Sequence, residues 1–525
     1  MNKIYRDWPL AIILAAQGAL TVPWLWRTAP FTDEALYLDA GHQMWAHWLH
    51  HASVPNYASS FSGAPILYPP IGAIADSVGG LPAARAVSLL LMMGASTAVY
   101  FSGLRLFGRL AAFFGAALFA VTGLIVHYGA FATYDAPALF FLALSLWAAA
   151  HVRDGGYKWI AICAAALVIS NAAKYATLAW DPVIAGVVLL DNWERGLARA
   201  FARVLTLVTG VVVAEAALLW VAGPSYRQGL IDTTLIRTLR TGAYVQPSVV
   251  LQRAAVLTAV ILLTAVAAVV ISIAARDPLP RVGMLVLFIL AGLVAPVDQA
   301  RIHELTSLDK NMGFGLIFPV LAAGYAVQVA IRHPPRRLTA GRVWCSAAGA
   351  AVILLALVLG RVQHVQFRGL NIRVADQIVS AMKKGYRPGT FILVAGNIRV
   401  DQYYMPAIRT SEWMGVFTPG VTARNRFNTR ICAARVSLVV MRLADGTYDH
   451  PYDYHLRSLL TTTHMYDLAL RAGDGSYITQ VWKLKRVHRD VTGVCAPVRP
   501  HHKKFTTHNN YFRASTGQGT GPPSK

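Results

Sequence analysis

Carboxylates stand at the ends of two of the apolar segments of this chain. Asp33 and Glu34 directly follow the first apolar segment, and Asp135 opens the fourth. A carboxylate held close to a hydroxyl group can take its proton while the oxygen attacks an electrophile. Asp and Glu also cap helices at such places, because their oxygens accept bonds from the first backbone N–H groups. Taken together, these residues indicate activation of a hydroxyl at a membrane surface. Helix capping is the alternative for each residue taken alone.

The composition places most of the chain in lipid. It has 525 residues, of which 55% are hydrophobic and 14% are charged, whereas soluble domains average about 25% charged residues. A helix that crosses ~30 Å of hydrocarbon needs ~20 apolar residues. We therefore predict a mainly helical, polytopic membrane domain over residues 1–363, with about eleven transmembrane helices. The runs centre on 8–26, 82–104, 110–127, 135–152, 158–173, 175–190, 204–222, 252–275, 282–298, 312–331 and 343–361.

The formal charge of +23 does not indicate nucleic-acid binding, because Lys and Arg fall mainly at the ends of apolar runs. With the N-terminus in the cytoplasm, these residues concentrate in the cytoplasmic loops, as the positive-inside rule expects. This orientation predicts a multi-pass plasma-membrane protein whose acidic residues and C-terminal region lie outside the cell. It also gives a long outer loop, 27–81, in which 34–50 is predicted to form a helix along the membrane surface.

Residues 364–497 have a different character and predict a small extracytoplasmic α/β domain. A helix is expected over 371–384, ending at Gly385, and the runs 391–394, 436–441 and 477–484 favour strands. Cys432 and Cys495 could form a disulfide in that compartment. The basic segment 498–525 is expected to be disordered.

Several short motifs, in their order along the chain, resemble the membrane glycosyltransferases of the C superfamily. The likeness is to family 39, the branch of protein O-mannosyltransferases and aminoarabinose transferases, and it covers roughly residues 1–360. The motifs are Thr32-Asp33-Glu34, Leu67-Tyr68-Pro69-Pro70-Ile71-Gly72 with Arg85 after it, Thr133-Tyr134-Asp135-Ala136-Pro137, Asn171-Ala172-Ala173-Lys174-Tyr175 and the stretch from His303 to Gly315.

The resemblance implies an enzyme that moves a monosaccharide from a polyprenyl phosphate to an envelope acceptor, which could be a lipid, a glycan or a protein. It implies inversion at the anomeric carbon, with Asp33 as the general base and Glu34 orienting it or binding substrate. Asp135 resembles the second acidic residue of the family. Candidate substrate-binding residues in or beside the motifs are Tyr37, Tyr68, His303 and Glu304.

Cations are expected near the donor phosphate, because this acidic leaving group needs positive charge more than it needs a general acid. Lys174 and Lys310 are candidates by their position in the motifs. Arg237 and Arg240, in the second large outer loop, are alternatives. The competing interpretation is contact with lipid headgroups, towards which a lysine such as Lys174 can extend its chain.

No cofactor is predicted. The histidines lack metal-ligand spacing, and the Asp-x-Asp motif of some metal-dependent C-superfamily enzymes is absent from the first loop. No required metal is therefore expected, although the sequence leaves a divalent metal open. Glu215, in the middle of an apolar run, is costly there and could be structural or functional. Because of Glu215, a different class of function, that of a transporter or lipid flippase, also remains open. A catalytically inactive relative that binds lipid-linked sugar is a third possibility.

Overall fold

The structure, a computed structural model, describes residues 8–236, 244–305, 307–333, 341–366, 370–396, 398–415, 421–444, 451–473 and 477–485. The chain divides into two compact units. Of the described residues, the first unit contains 8–25 and 40–366, and the second contains 26–39 and 370–485.

The first unit is helical. Helix α2 begins in the second unit and ends in the first. The helices are α1 Trp8–Thr21, α2 Thr32–His50, α3 Tyr68–Leu106, α4 Arg109–Val121, α5 Gly123–Ala130, α6 Asp135–Ala149, α7 Val152–Gly155, α8 Tyr157–Ala173, α9 Asp181–Asn192, α10 Leu197–Val221, α11 Gly223–Ile231, α12 Pro247–Ala274, α13 Leu279–Arg301, α14 Leu308–Leu316, α15 Pro319–Arg332 and α16 Gly341–Gln366.

Among the described residues, five helices are long and apolar enough to cross a membrane: α3, α10, α12, α13 and α16. Two bent pairs, α4 with α5 at 61° and α14 with α15 at 44°, raise the number to seven if each pair is one span. Three further apolar helices are shorter. Each predicted run overlaps at least one described helix, but the predicted count of about eleven spans is not confirmed.

Helix α3 starts earlier than the predicted span at residue 82. It begins at Tyr68 and contains a break at Gly79 and Gly80, where Gly80 has a φ of +64°. A left-handed backbone conformation of this kind suits glycine, which has no Cβ to clash. The predicted outer loop 27–81 therefore contains helix α2, close to the predicted 34–50, and the first turns of α3.

Small residues allow the helices of the first unit to pack closely. A Cβ on Gly324 of α15 would lie 2.3 Å from the carbonyl oxygen of Ala111 in α4. Helices α6 and α8 are joined by a hydrogen bond of 2.8 Å from the Ser170 hydroxyl to the Ala138 carbonyl. This contact brings the start of α6 beside the end of α8, where two of the candidate site residues lie.

Among its described residues, the second unit contains a five-stranded mixed sheet. Strands β1 Phe391–Ala395, β2 Trp413–Gly415, β3 Val436–Ala444, β4 Tyr466–Gly473 and β5 Tyr477–Leu484 are arranged in the order β2-β1-β3-β5-β4. Strand β1 is parallel to β2 and β3, whereas β5 is antiparallel to β3 and β4. The helices of this region are α17 Ile372–Gly385, α18 Ile398–Tyr404, α19 Val421–Cys432 and α20 Pro451–Thr462.

Alternation along the strands gives the sheet two apolar faces. Ile392 of β1 packs in a core with Ile378 of α17. Its neighbour Leu393 packs in a separate core with Ile431 of α19 and Leu456 of α20. This is a three-layer α/β/α arrangement, in agreement with the predicted α/β domain. Cys432 is disulfide-bonded, and its predicted partner, Cys495, lies outside the described residues.

Candidate functional site

The first unit brings Asp135 and Lys174 together. Asp135 is the first residue of α6 and Lys174 directly follows α8. The Lys174 Nζ lies 2.6 Å from the Asp135 Oδ1, and the two side chains are only 6% and 5% exposed. A buried pair of this kind is stable only while both partners remain, because either charge alone would be left in a poorly solvated place.

Lys310 contributes its backbone to the same cluster. The Lys174 Nζ donates to the Lys310 carbonyl oxygen at 3.3 Å, and the Tyr128 hydroxyl donates to that oxygen at 2.6 Å. The Lys174 ammonium also lies 4.9 Å from the centre of the Phe314 ring. We call Asp135, Lys174, Tyr128 and the Lys310 carbonyl the lysine cluster. It joins the starts of α6 and α14 to the end of α8 and to α5.

A second ion pair lies one residue before Lys310. The Asp309 Oδ2 is 3.4 Å from an Arg253 nitrogen of α12. The predicted substrate-binding residues His303 and Glu304 lie in the preceding turn. The His303 ring stacks on Tyr244 with centroids 4.3 Å apart, and its Nδ1 lies 3.2 Å from the Val245 carbonyl oxygen. His303 is thus held against the segment just before α12.

Asp33 and Glu34 belong to the second unit, at the start of α2. Glu34 is fully buried, and its Oε2 accepts a hydrogen bond of 3.2 Å from the backbone N–H of Phe31. This is one half of a capping box, in which the third helical residue bonds back to the residue before the helix. Asp33 is half-buried, and Tyr37, one turn later, is 4% exposed.

Tyr68 and Arg85 lie in α3. The Tyr68 hydroxyl is 3.2 Å from the Ser88 hydroxyl, and its side chain is buried. Arg85 is fully buried as well, with Nη1 donating to the Leu25 carbonyl at 3.0 Å. Its guanidinium lies 5.2 Å from the centre of the Phe131 ring. An arginine inside an apolar run is a signal of structural or functional importance, and the predicted site residues do not include Arg85.

Tyr128 is the other residue that sequence reasoning missed. Its hydroxyl position depends on close packing, since a Cβ on Gly313 would lie 2.3 Å from the Tyr128 ring. A tyrosine in an apolar run carries no distinguishing signal. The candidates Arg237 and Arg240 lie outside the described residues. Within the part of the chain that the structure describes, no group of three or more His, Cys, Asp or Glu side chains could hold a metal ion.

The long apolar helices of the first unit are those of a multi-pass membrane protein. Residues 73–220 match the family of dolichyl-phosphate-mannose-protein mannosyltransferases. The fold is similar to those of two membrane glycosyltransferases of known structure, ArnT and AglB, and together with the family match it confirms the resemblance predicted from the sequence.

Two similar structures are of ArnT from Cupriavidus metallidurans. The apo structure has a TM-score of 0.58 at 14% identity, covering 91% of this chain and 98% of the other. The structure bound to undecaprenyl phosphate has the same TM-score and identity, covering 94% and 100%. The oligosaccharyltransferase AglB from Archaeoglobus fulgidus, in complex with an inhibitory peptide and a dolichol-phosphate, has a TM-score of 0.53 at 13% identity, covering 84% and 70%. No curated protein sequence matches the chain.

Proposed function

We propose that this protein transfers a monosaccharide from a polyprenyl phosphate to an acceptor hydroxyl in the cell envelope, outside the plasma membrane. The observation that carries the proposal is the fold, which over 94% of the chain is similar to that of ArnT bound to undecaprenyl phosphate. The lysine cluster adds a fixed positive charge beside an acidic residue at the ends of apolar helices, which suits a charged lipid headgroup.

Asp33 is the proposed general base. In the reaction, the acceptor oxygen attacks the anomeric carbon while the Asp33 carboxylate takes the hydroxyl proton. The bond from the anomeric carbon to the phosphate oxygen breaks, and polyprenyl phosphate leaves with the electron pair. Attack from the side opposite the phosphate inverts the anomeric carbon. A positioned base of this kind typically contributes a factor of about 10²–10⁴ to the rate.

Lys174 and Lys310 are the proposed donor-phosphate ligands, together with Arg237 and Arg240. Of these, Lys174 has the strongest support, because its charge is fixed by Asp135 and by the Lys310 carbonyl. A charge fixed before the reaction stabilises the departing phosphate without having to reorganise. In this scheme Asp135 acts by positioning Lys174, since its carboxylate is engaged with the ammonium group.

Supporting roles are proposed for five further residues: Glu34, Tyr37, Tyr68, His303 and Glu304. The bond from Phe31 to Glu34 supports a part for Glu34 in ordering the helix start that carries Asp33. Tyr37 and Tyr68 are buried, and their proposed part is to shape the site. His303 and Glu304 border the Lys310 segment and are the better candidates for substrate contact.

The test is transfer from a radiolabelled polyprenyl-phosphate sugar by the purified protein in lipid nanodiscs. We expect incorporation of label into an envelope extract with the wild-type protein. With Asp33→Asn we expect a loss of about 10²-fold or more and unchanged binding of the lipid donor. Lys174→Met should instead weaken donor binding. Asp467→Asn, which affects an exposed ion pair with Lys485, is the control and should behave like wild type.

Two outcomes would contradict the proposal. Transfer that is unaffected by Asp33→Asn would remove the general base. Movement of the labelled lipid across a bilayer with no transfer of its sugar would favour a transporter or flippase.

A further inference from the structure

A short piece of backbone pairing joins the segment before Asp33 to the beginning of the C-terminal α/β region. The N–H of Ala29 donates to the Leu370 carbonyl at 2.8 Å, and the N–H of Ile372 donates to the Arg27 carbonyl at 3.1 Å. Between these two bonds, Thr28 and Asn371 form an antiparallel bridge. We call residues 27–29 and 370–372, paired in this way, the clamp.

The C-terminal side of the clamp, residues 370–372, is anchored firmly. Leu370 packs against the core that contains Ile378 and Trp413. The Asn371 side chain accepts a bond of 2.9 Å from the Arg373 N–H and so caps helix α17. Because Leu370 packs in the core and Asn371 caps a helix, this side of the clamp has little freedom to move.

The clamp is also connected stiffly to Asp33. Ala29 is completely buried, and Pro30, which follows it, has a φ fixed by its ring. Phe31 is tied to Glu34 by the capping bond, and helix α2 starts at the next residue. A second tie lies further along the helix, where the Asp39 Oδ2 is 3.9 Å from an Arg399 nitrogen.

We infer that the C-terminal α/β region is a positioning element for Asp33, acting through the clamp and through the pair between Asp39 and Arg399. The inference rests on the proposed role of Asp33 as general base. A base must be held close to its geometry for reaction, and a misplacement of about 1 Å can cost about 10²-fold in rate. Only residues 30–33 lie between the clamp and the end of this connection at Asp33, and they include a proline and the capping bond. Such a short, restrained segment holds the position of Asp33 better than a free loop would.

Ile372→Pro tests the clamp with little damage to the helix. Ile372 is the first residue of α17, where proline is tolerated because its N–H has no partner within the helix. Asn371 already has φ −58° and ψ 134°, which is the extended conformation that a following proline requires. The substitution therefore removes the bond to the Arg27 carbonyl. Ile372→Ala removes the side chain but keeps the N–H, and is the matched control.

We expect Ile372→Pro to lower kcat about tenfold or more, while the KM for the lipid donor stays near the wild-type value. Ile372→Ala should keep kcat. A merely structural defect would lower the yield and the Tm of the protein and would not separate kcat from KM. Unchanged kcat in the proline variant would overturn the inference.

A disulfide across the clamp provides the rescue. Thr28 and Asn371 form a pair whose neighbours make the hydrogen bonds, and such pairs have Cα atoms about 4.5 Å apart, within the range that a disulfide spans. Thr28→Cys combined with Asn371→Cys should cross-link on oxidation, as detected by protection from a thiol label. Oxidation should also restore kcat to the triple variant that carries Ile372→Pro.

The results separate this inference from the proposed function. Cross-linking is measured without any transfer reaction, so failure to form the disulfide overturns the clamp alone. Loss of transfer on oxidation of the double cysteine variant, with recovery on reduction, would show that the clamp must open and would overturn the inference. Transfer that is insensitive to Asp33→Asn would reject the general base while the cross-link still formed.

Discussion

The ammonium group of Lys174 lies 2.6 Å from the carboxylate of Asp135, and both side chains are almost completely buried. The two residues lie at the ends of different helices: Lys174 directly follows α8, and Asp135 is the first residue of α6. Each charge removes much of the cost of burying the other, and the Lys310 carbonyl satisfies a further N–H of the lysine. The pair therefore holds two helix ends together while it keeps a cation in place.

Replacing one member of this pair should cost more than replacing both. Lys174→Met or Asp135→Leu alone leaves an uncompensated buried charge, which typically costs about 3–5 kcal/mol. The double variant leaves two apolar side chains and should recover much of that loss. The Tm in detergent of the two single variants and the double variant tests this. Glu194→Gln, in an exposed pair with Arg153, should change the Tm little. Losses that simply add up in the double variant would show that the two side chains are not coupled.

Gly313→Ala should disturb the lysine cluster from its other side. The new methyl group would lie 2.3 Å from the Tyr128 ring, so the ring must move and its bond to the Lys310 carbonyl must weaken. We expect a lower Tm and weaker binding of polyprenyl phosphate. Gly18→Ala in helix α1 is the control, because its added Cβ meets no atom within 4 Å and alanine favours a helix. Donor affinity that is unchanged in Gly313→Ala would separate Tyr128 from the donor site.

Two variants separate the role of the negative charge of Glu34 from its role in capping helix α2. Glutamine can accept the same bond from the Phe31 N–H, because Gln serves as well as Glu in a capping box. If Glu34 acts by capping, Glu34→Gln keeps transfer within a few-fold of wild type, whereas Glu34→Ala loses both stability and transfer. Measured kcat and Tm for the two variants decide the point. A glutamine variant as inactive as Asp33→Asn would mean that the Glu34 charge itself is required.

Local patterns in the sequence predicted the helices and several strands. The helix expected over 371–384 is found as Ile372–Gly385, with Asn371 as its cap. The predicted strand runs 391–394, 436–441 and 477–484 correspond to β1, β3 and β5. These elements are recognisable because their periodicity and end signals are contained within the segment itself. Strand β2 has only three residues, Trp413–Gly415, which is too short for a periodic signal.

The contacts of the candidate site could not be predicted from the sequence, because they join residues that are far apart in the chain. Lys174 could be placed at a helix end by its sequence context, but nothing there indicates that it faces Asp135. The part played by Lys310 in the lysine cluster is that of its backbone carbonyl, which no side-chain motif encodes. The bridge between Thr28 and Asn371 likewise depends on the fold.

Asp277 lies in the turn between α12 and α13, and its pKa makes the stability of this turn depend on pH. Partial burial raises the pKa of Asp277, but hydrogen bonds from Tyr325 and Ser272 and the nearby charge of Arg281 outweigh it, so the pKa lies below the usual value. The Tyr325 hydroxyl is 2.5 Å from the Asp277 Oδ2. A carboxyl with a depressed pKa stabilises the fold above its ordinary pKa of about 3.9, and this contribution is lost as the pH falls through the lower folded-state value.

We therefore expect Asp277→Asn to lower the Tm at pH 7, with the difference from wild type shrinking below about pH 4. Asp298→Asn, in an exposed pair with Arg301, should change the Tm little at either pH. A Tm difference for Asp277→Asn that stays constant down to pH 3 would show that the ionised carboxylate is not what stabilises this turn.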